Sequence, residues 1–342
     1  MKNQYLARLL LLKKSYKFMN KTSLKKIMVI GSGAWGTALA NHIAINNHSV
    51  FLNSIESDVI DEINNKNSNS KYLKNIKLHK NLSAGFEYIS DADFVFLVVP
   101  SDVANTVFNK IAKTKFKKNC IFVICSKGFE HKSLELLSDS FEKIVNNKNY
   151  AVLSGPNFAV EVAHEVPTVT TIASKNKKIA TQIIKILNNK NFQAQYSFDP
   201  RTAEICGIIK NILAIGCGIV DGLGLGVNTK SALIVKGVFE IQLLCKKIEA
   251  STDVAIPAGF GDIFLTCSSN KSRNNSLGNL IALGKKPSKS ITYEGASSAK
   301  IIVKYAKKHK LKLVLCEEIS KIIFGSFSQS EIKSRLIKAI LS

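Results

Sequence analysis

The sequence predicts an α/β protein, with an N-terminal domain on a parallel sheet followed by an all-α C-terminal domain. Three observations carry this reading. Between residues 25 and 198, short uninterrupted apolar runs alternate with helical stretches, the pattern of a parallel sheet covered on both faces. Past residue 199, strand signals become scarce and helices follow one another. The chain has 342 residues, 46% of them hydrophobic, enough for two folded cores. The expected organisation is a basic extension over 1–24, a sheet domain over 25–198 and a helical domain over 199–342, with the boundary at 198–201.

The elements follow in order. Ile27-Met28-Val29-Ile30 is a short apolar strand, and a helix over 34–45 opens directly after a glycine-rich turn. A second apolar strand over 50–52 leads to a helix over 56–66, and the Asn/Ser/Lys-rich stretch 67–71 reads as a loop. The run 94–99 is fully apolar and stops at Pro100, which reads as a central strand. A helix over 103–112, a strand over 121–125 and a helix over 134–145 continue the alternation, and strands over 151–153 and 169–173 close it. Helices are then expected over 202–220, 231–248, 276–283, 297–309 and 317–324.

Composition narrows the function classes. The net charge of +23 comes from 48 Lys+Arg against 25 Asp+Glu, which suits phosphorylated substrates, nucleic acid or anionic membranes. The lysines are scattered, many beside asparagines, and form no basic stripe with interleaved aromatics, so nucleic acid is not an expected partner. Seven dispersed cysteines without a CxxC pair read as buried reduced thiols. Six histidines form no HxxxH or HExxH pattern, so no metal is expected. No run of 18 apolar residues is present, and stable membrane insertion is not expected. Ahead of the first strand, Arg8, Lys13 and Lys14 flank a short leucine run, and no acidic residue occurs before Glu56. This stretch lacks the long apolar core of a secretory signal and is expected to be a disordered extension, with a basic leader or a start at Met19 as alternatives.

The chemistry begins at Gly31-Ser32-Gly33-Ala34-Trp35-Gly36, between the first strand and its helix. GxGxxG in this setting is the dinucleotide fingerprint of a Rossmann-type sheet. The first glycine permits the turn, the second lets backbone approach a pyrophosphate, and the third lets helix and strand pack closely. The helix N-terminus offers N–H donors to the anion. The acid expected to reach a ribose lies near the end of the second strand, where Glu56 is the candidate and no arginine is present for a 2′-phosphate. The cofactor is therefore NAD(H) or NADP(H), with a lean to NADH. The later strand ends, Val98-Val99-Pro100-Ser101, Ser126-Lys127-Gly128 and Ser154-Gly155-Pro156-Asn157, are also ligand loops, because open parallel sheets bind ligands at the carboxyl ends of their strands. Lys127 is placed to meet an anion. Farther on, Lys210 sits in a helix that is otherwise apolar or small. Desolvation lowers the pKa of a buried lysine toward the range useful for proton transfer. Gly207 and Ala214 leave room beside the ammonium, and Asn211 shares a small-residue surface with Gly207, Ala214 and Gly218.

Taken together, GSGAWGTALA, VVPS, CSKGFE, SGPNFAVEV, EICGIIKNILAIGCGIVDGLGLGVNTKSAL, GFGDIFLTC, SRNNSLG and YEG resemble the bacterial type of NAD(P)-dependent glycerol-3-phosphate dehydrogenase, in the family's order from about 25 to 298. The resemblance implies reduction of dihydroxyacetone phosphate to sn-glycerol 3-phosphate, feeding glycerophospholipid synthesis, by a cytoplasmic homodimer. It implies Lys210 as proton donor and acceptor and Asp262 as the residue that orients it. It implies Lys127, Gly155, Asn157, Asn211, Thr266, Ser272, Arg273 and Asn274 at the substrate. At the cofactor it implies Gly31, Gly33, Ala34, Trp35, Gly36, Lys127, Ala159, Arg273 and Glu294. The sequence departs from the family pattern at Asp102, Asn157, Val227 and the segment 257–260.

Overall fold

A computed structural model describes residues 24–130, 133–269, 272–285, 287 and 293–342; of the expected extension over 1–24, all but the last residue lies outside them. The first half runs β1 (Lys26–Ile30), α1 (Ala34–Ile45), β2 (Ser49–Asn53), α2 (Ser57–Lys66), β3 (Leu82–Gly85), β4 (Phe94–Leu97), α3 (Ala104–Lys113) and β5 (Ile121–Ile124). A two-stranded ribbon follows, β6 (Phe129–Glu130) with β7 (Glu135–Leu136), and then α4 (Leu137–Val145). The half closes with β8 (Tyr150–Ser154), α5 (Ala159–Ala163), β9 (Thr168–Ala173), α6 (Lys177–Leu187) and β10 (Phe192–Ser197).

Eight strands form one sheet in the order β10-β9-β8-β5-β4-β1-β2-β3. The register runs Ile27↔Val50 on one side of β1 and Ile27↔Phe94 on the other, both parallel. Side chains alternate across the pleat. In β1, Ile27 and Val29 pack with Leu39, Ile43 and Ile183 on one face. Met28 and Ile30 pack with Phe108, Phe122 and Phe141 on the other. Both faces are dry, so the strand sequences are continuous apolar runs. The chain reverses its direction of travel across the sheet between β1 and β4, which is where open α/β sheets bind ligands.

The fold class is the expected one, with three corrections. The alternation does not end at 173 but continues through α6 and β10, and β3 lies in a stretch to which the sequence assigns no element. The sheet is not wholly parallel, because β8 and β9 pair antiparallel. The helix expected over 134–145 begins only at Leu137, because Glu135 and Leu136 belong to the ribbon.

The second half is helical among the described residues: α7 (Pro200–Gly222), α8 (Gly226–Lys247), a wide π turn (Pro257–Gly261), α9 (Asp262–Ser268), α10 (Arg273–Ala282), α11 (Glu294–Lys308), α12 (Val314–Phe324) and α13 (Gln329–Leu341). Helix α7 starts cleanly. Pro200 takes the first turn and the Asp199 carboxylate accepts from Arg201 N. It is buried on all sides from Thr202 to Val220, as a helix that is apolar or small all round apart from Glu204, Lys210 and Asn211 must be. It is long and apolar enough to cross a membrane, but that whole stretch is buried inside the protein. The other helices wrap around it to form the second core, which includes Ile205, Ile212, Leu233, Ile263, Leu277 and Ile319. All seven cysteines are buried and free.

Two glycines set how closely α7 and α10 approach. A Cβ on Gly218 would stand 1.9 Å from the Asn275 carbonyl oxygen, and one on Gly278 would stand 1.9 Å from that of Ile215. The helices therefore cross with their main chains in contact. This corrects one expectation: Gly218 serves helix packing, whereas Gly207, on the same helix, faces Ser154 and Lys127. Helix α7 also ties the two halves together. Its buried Glu204 accepts hydrogen bonds from Ser138 N, at 3.0 Å, and from Ser138 Oγ at the start of α4.

Candidate active site

The glycine turn separates its three roles physically. Gly31 has φ +110°, and a Cβ there would lie 2.2 Å from the Val98 carbonyl oxygen. Gly36 packs so tightly on Gly31 that its Cβ would fall 1.9 Å from that residue's carbonyl oxygen. Gly33, which caps α1, has no protein atom within 4 Å of an added Cβ. Its small size is thus not needed for folding. It leaves the helix N-terminus open to an anionic group, so the turn fits a pyrophosphate. Ala34 is the first residue of α1.

A cavity of about 320 Å³ runs from this turn along the strand ends. Gly33, Trp35 and Gly36 line one end, Val98 to Ser101 and Cys125 to Lys127 the middle, and Leu153 to Gly155, Asn157 and Glu294 the rest. The strand-end loops singled out in the sequence are therefore its walls. Ala159 opens α5 and packs against the sheet core.

Beside the cavity, one carboxylate holds two lysines. Asp262 Oδ1 accepts from Lys210 Nζ and Asp262 Oδ2 from Lys127 Nζ, both at 2.7 Å. Lys210 Nζ also donates to Thr266 Oγ1 at 2.9 Å. Thr266 lies one turn after Asp262 in α9 and donates its own hydroxyl hydrogen to the Asp262 carbonyl oxygen. The side chains of Asp262, Lys210 and Lys127 are 2%, 9% and 25% exposed. Burial pushes Lys210 down to about 8; the Lys127 charge adds to this, and the Asp262 carboxylate only partly opposes it. Lys127 is also disfavoured by burial, but Asp262 outweighs it and holds that ammonium above its ordinary value. Burial works to raise Asp262, yet the two cations keep it below the usual carboxylate range. The result is a cation poised to give up a proton and a second cation that is not.

The remaining expected residues scatter around this centre. Asn211 is buried beside Lys210 on α7. Ser272 caps α10 by accepting from Asn275 N, and Asn274 Oδ1 accepts from Gly295 N at 3.0 Å, tying α10 to the start of α11 near Glu294. Arg273, the first residue of α10, is exposed and does not line the cavity. Glu56 pairs with Lys71 and accepts from Tyr72 Oη at 2.7 Å. Among the described residues, no cluster of metal-ligating side chains occurs. The sequence places Ser154 in a ligand loop but gives its hydroxyl no role. Nothing marks a serine at a strand end in one dimension, and only its burial without a partner singles it out.

A glycine turn open to an anion, and a buried, acidified ammonium beside the cavity that starts at that turn, define a two-domain, dinucleotide-dependent oxidoreductase. The N-terminal family model for NAD-dependent glycerol-3-phosphate dehydrogenase matches residues 26–180 and the C-terminal model matches residues 199–334. The chain belongs to this family of NAD(P)-dependent oxidoreductases. It is 34% identical over 332 residues to a glycerol-3-phosphate dehydrogenase [NAD(P)+] of Francisella philomiragia, covering 92% of this chain and 97% of that one. It is 35% identical over 316 residues to the protein of that name from Maricaulis maris, covering 89% and 93%. The crystal structure of a glycerol-3-phosphate dehydrogenase from Coxiella burnetii superposes with a TM-score of 0.85 at 30% identity, covering 92% of this chain and 99% of that one.

Proposed function

We propose that the protein reduces dihydroxyacetone phosphate to sn-glycerol 3-phosphate: dihydroxyacetone phosphate + NAD(P)H + H⁺ ⇌ sn-glycerol 3-phosphate + NAD(P)⁺. The observation that carries this is the Lys210–Asp262–Lys127 cluster beside a cavity that begins at the dinucleotide turn. When bound, the cofactor supplies the hydride to the substrate's central carbon. Gly31, Gly33, Ala34, Trp35 and Gly36 hold its pyrophosphate end, and Ala159, Glu294, Arg273 and Lys127 reach its other parts. Lys210 holds the proton that the developing alkoxide takes, and its ammonium stabilises that oxygen as charge grows. Asp262 and Thr266 fix Nζ in place, so little reorganisation is needed at the moment of transfer. Lys127, the stronger base of the two lysines, stays charged and draws the anionic substrate in. Ser272, Arg273 and Asn274 take the phosphate, with the arginine fork suited to its oxygens, and Gly155, Asn157 and Asn211 complete the pocket. The product feeds glycerophospholipid synthesis, and the protein works in the cytoplasm as a homodimer.

The test is loss of nicotinamide absorbance with dihydroxyacetone phosphate and either NADH or NADPH. Turnover is expected, and the ratio of the two rates gives the cofactor preference. Lys210→Ala is expected to cut kcat by about 10²–10⁴-fold while cofactor affinity persists. Full turnover in that variant would remove Lys210 from the proton step. Oxidation of a 2-hydroxy acid without oxidation of glycerol 3-phosphate would reassign the substrate.

A further inference from the structure

Two polar atoms in residues lining the cavity are buried without a hydrogen-bond partner: Ser154 Oγ and Asn157 Oδ1. Ser154 ends β8 and is 2% exposed. Its hydroxyl faces Gly207 of α7, where an added Cβ would stand 3.4 Å from Oγ and 3.6 Å from the Cγ and Cδ of Lys127. The hydroxyl thus lies by the stem of Lys127, next to the small-residue opening of α7 and one helical turn from Lys210. Asn157 is fixed in one orientation. Its Nδ2 donates to Thr168 Oγ1 and to the Val169 carbonyl oxygen, each at 2.9 Å. A carbonyl only accepts, so Nδ2 must face it, and Oδ1 is the atom left over.

Buried polar atoms without partners destabilise a fold, and two of them in one cavity wall point to a ligand that satisfies both. Asn157 Oδ1 can only accept, so a fully ionised phosphate, whose oxygens also only accept, is no partner for it. Ser154 Oγ can donate and accept. Together they suit a neutral group that does both, which is an alcohol or a carboxamide. Resting on the reading of this cavity as a dihydroxyacetone phosphate site, we propose that Ser154 is a specificity-determining residue. Its hydroxyl, with Asn157 Oδ1, binds the free hydroxymethyl end of the substrate. The substrate's other polar ends are claimed elsewhere. The phosphate needs cations, and the carbonyl oxygen, which gains negative charge, belongs to Lys210. The hydroxymethyl group remains. It donates to Asn157 and accepts from Ser154, so an analogue that ends in a methyl leaves both atoms orphaned. The nicotinamide carboxamide is the other group of matching chemistry.

The experiment compares wild type with Ser154→Ala on dihydroxyacetone phosphate and on acetonyl phosphate, whose terminal group is a methyl. NADH affinity without substrate and Tm are measured alongside. The wild type is expected to favour dihydroxyacetone phosphate by about 10–100-fold in kcat/KM, the size of one buried hydroxyl contact. Ser154→Ala is expected to erase most of that preference by lowering kcat/KM for the natural ketone about tenfold, with acetonyl phosphate and NADH affinity unchanged. Tm is expected to hold or rise, because the lost hydroxyl has no partner in the folded protein. Undiminished discrimination in the variant overturns the proposal. Weakened NADH binding with discrimination intact also overturns it and assigns the hydroxyl to the carboxamide. A wild type that reduces neither ketone overturns the reading of the reaction itself, and the hydroxymethyl assignment with it.

Discussion

Lys210 and Lys127 share one carboxylate yet shift in opposite directions: burial and the Lys127 charge prevail at Lys210, and the attraction of Asp262 prevails at Lys127. Lys127 keeps a quarter of its side chain in solvent, whereas Lys210 keeps less than a tenth. Because the folded value of Lys210 lies near 8 and its unfolded value near 10.5, the group costs stability below about pH 8, and the cost fades as pH rises toward 10.5. The same shift fixes the pH dependence of turnover. Ketone reduction needs the protonated amine, so its rate is expected to fall as pH climbs through about 8, and alcohol oxidation is expected to gain over that window. Rates at saturating substrate in both directions check this, and two flat profiles would contradict it. Much of this centre was legible in the sequence. A lysine among apolar helix residues, an aspartate after Gly261 and a lysine at a strand end are each visible, and the fold brings them within hydrogen-bond distance. The sequence does not reveal that Arg273 stands outside the lined cavity or that Ser154 is an orphan. Both depend on where neighbouring backbone passes, not on residue type.

At the scale of elements, the glycine turn makes a sharp contrast. Gly36→Ala must push a methyl into the Gly31 carbonyl and is expected to destabilise the protein by about 2–4 kcal/mol, the range for a forced backbone clash. Gly33→Ala meets no protein atom and is expected to leave stability within about 0.5 kcal/mol while sharply weakening NADH binding. Thermal melts with and without cofactor distinguish the two; equal destabilisation would show that Gly33 also packs. The elements absent from the sequence reading share a cause. β10 alternates Phe192 and Ala194 inward with Gln193 and Gln195 outward, the signature of an edge strand and not of the apolar runs used to find the sheet. β3 spans only Leu82–Gly85, three of its residues being small. Helix α6 carries Ile179, Ile183, Ile186 and Leu187 on one face and an Asn176 cap, a legible helix obscured by the lysines and asparagines at both its ends. The antiparallel β8–β9 pair leaves no trace in composition, because where the two strands pair they are buried like their parallel neighbours.

At the scale of the whole molecule, a chain of charge +23 surrounds a cavity whose proposed ligands are all anions. The field is expected to raise encounter rates, and screening is expected to remove that gain. kcat/KM for dihydroxyacetone phosphate should therefore fall several-fold between about 0.02 and 0.5 M salt, with kcat nearly constant. Salt-independent kcat/KM would mean that the scattered lysines only solubilise the protein. The two halves meet along α7, where Glu204 reaches the start of α4 and Arg201 pairs with Asp139, and at α9, where Asp262 binds Lys127. The proton-donating centre thus sits on the seam, and neither half contains it alone.

The crossing of α7 and α10 gives that centre a built-in ruler. Lys210 and Arg273 ride on two helices held apart only by the thickness of bare main chain at Gly218 and Gly278. A side chain added at either glycine would clash with the facing carbonyl, so the packing fixes the span between them. A variant accepting a longer phosphorylated ketone must gain its room at the opposite wall, around Ser154 and Gly155, where β8 hands over to its loop.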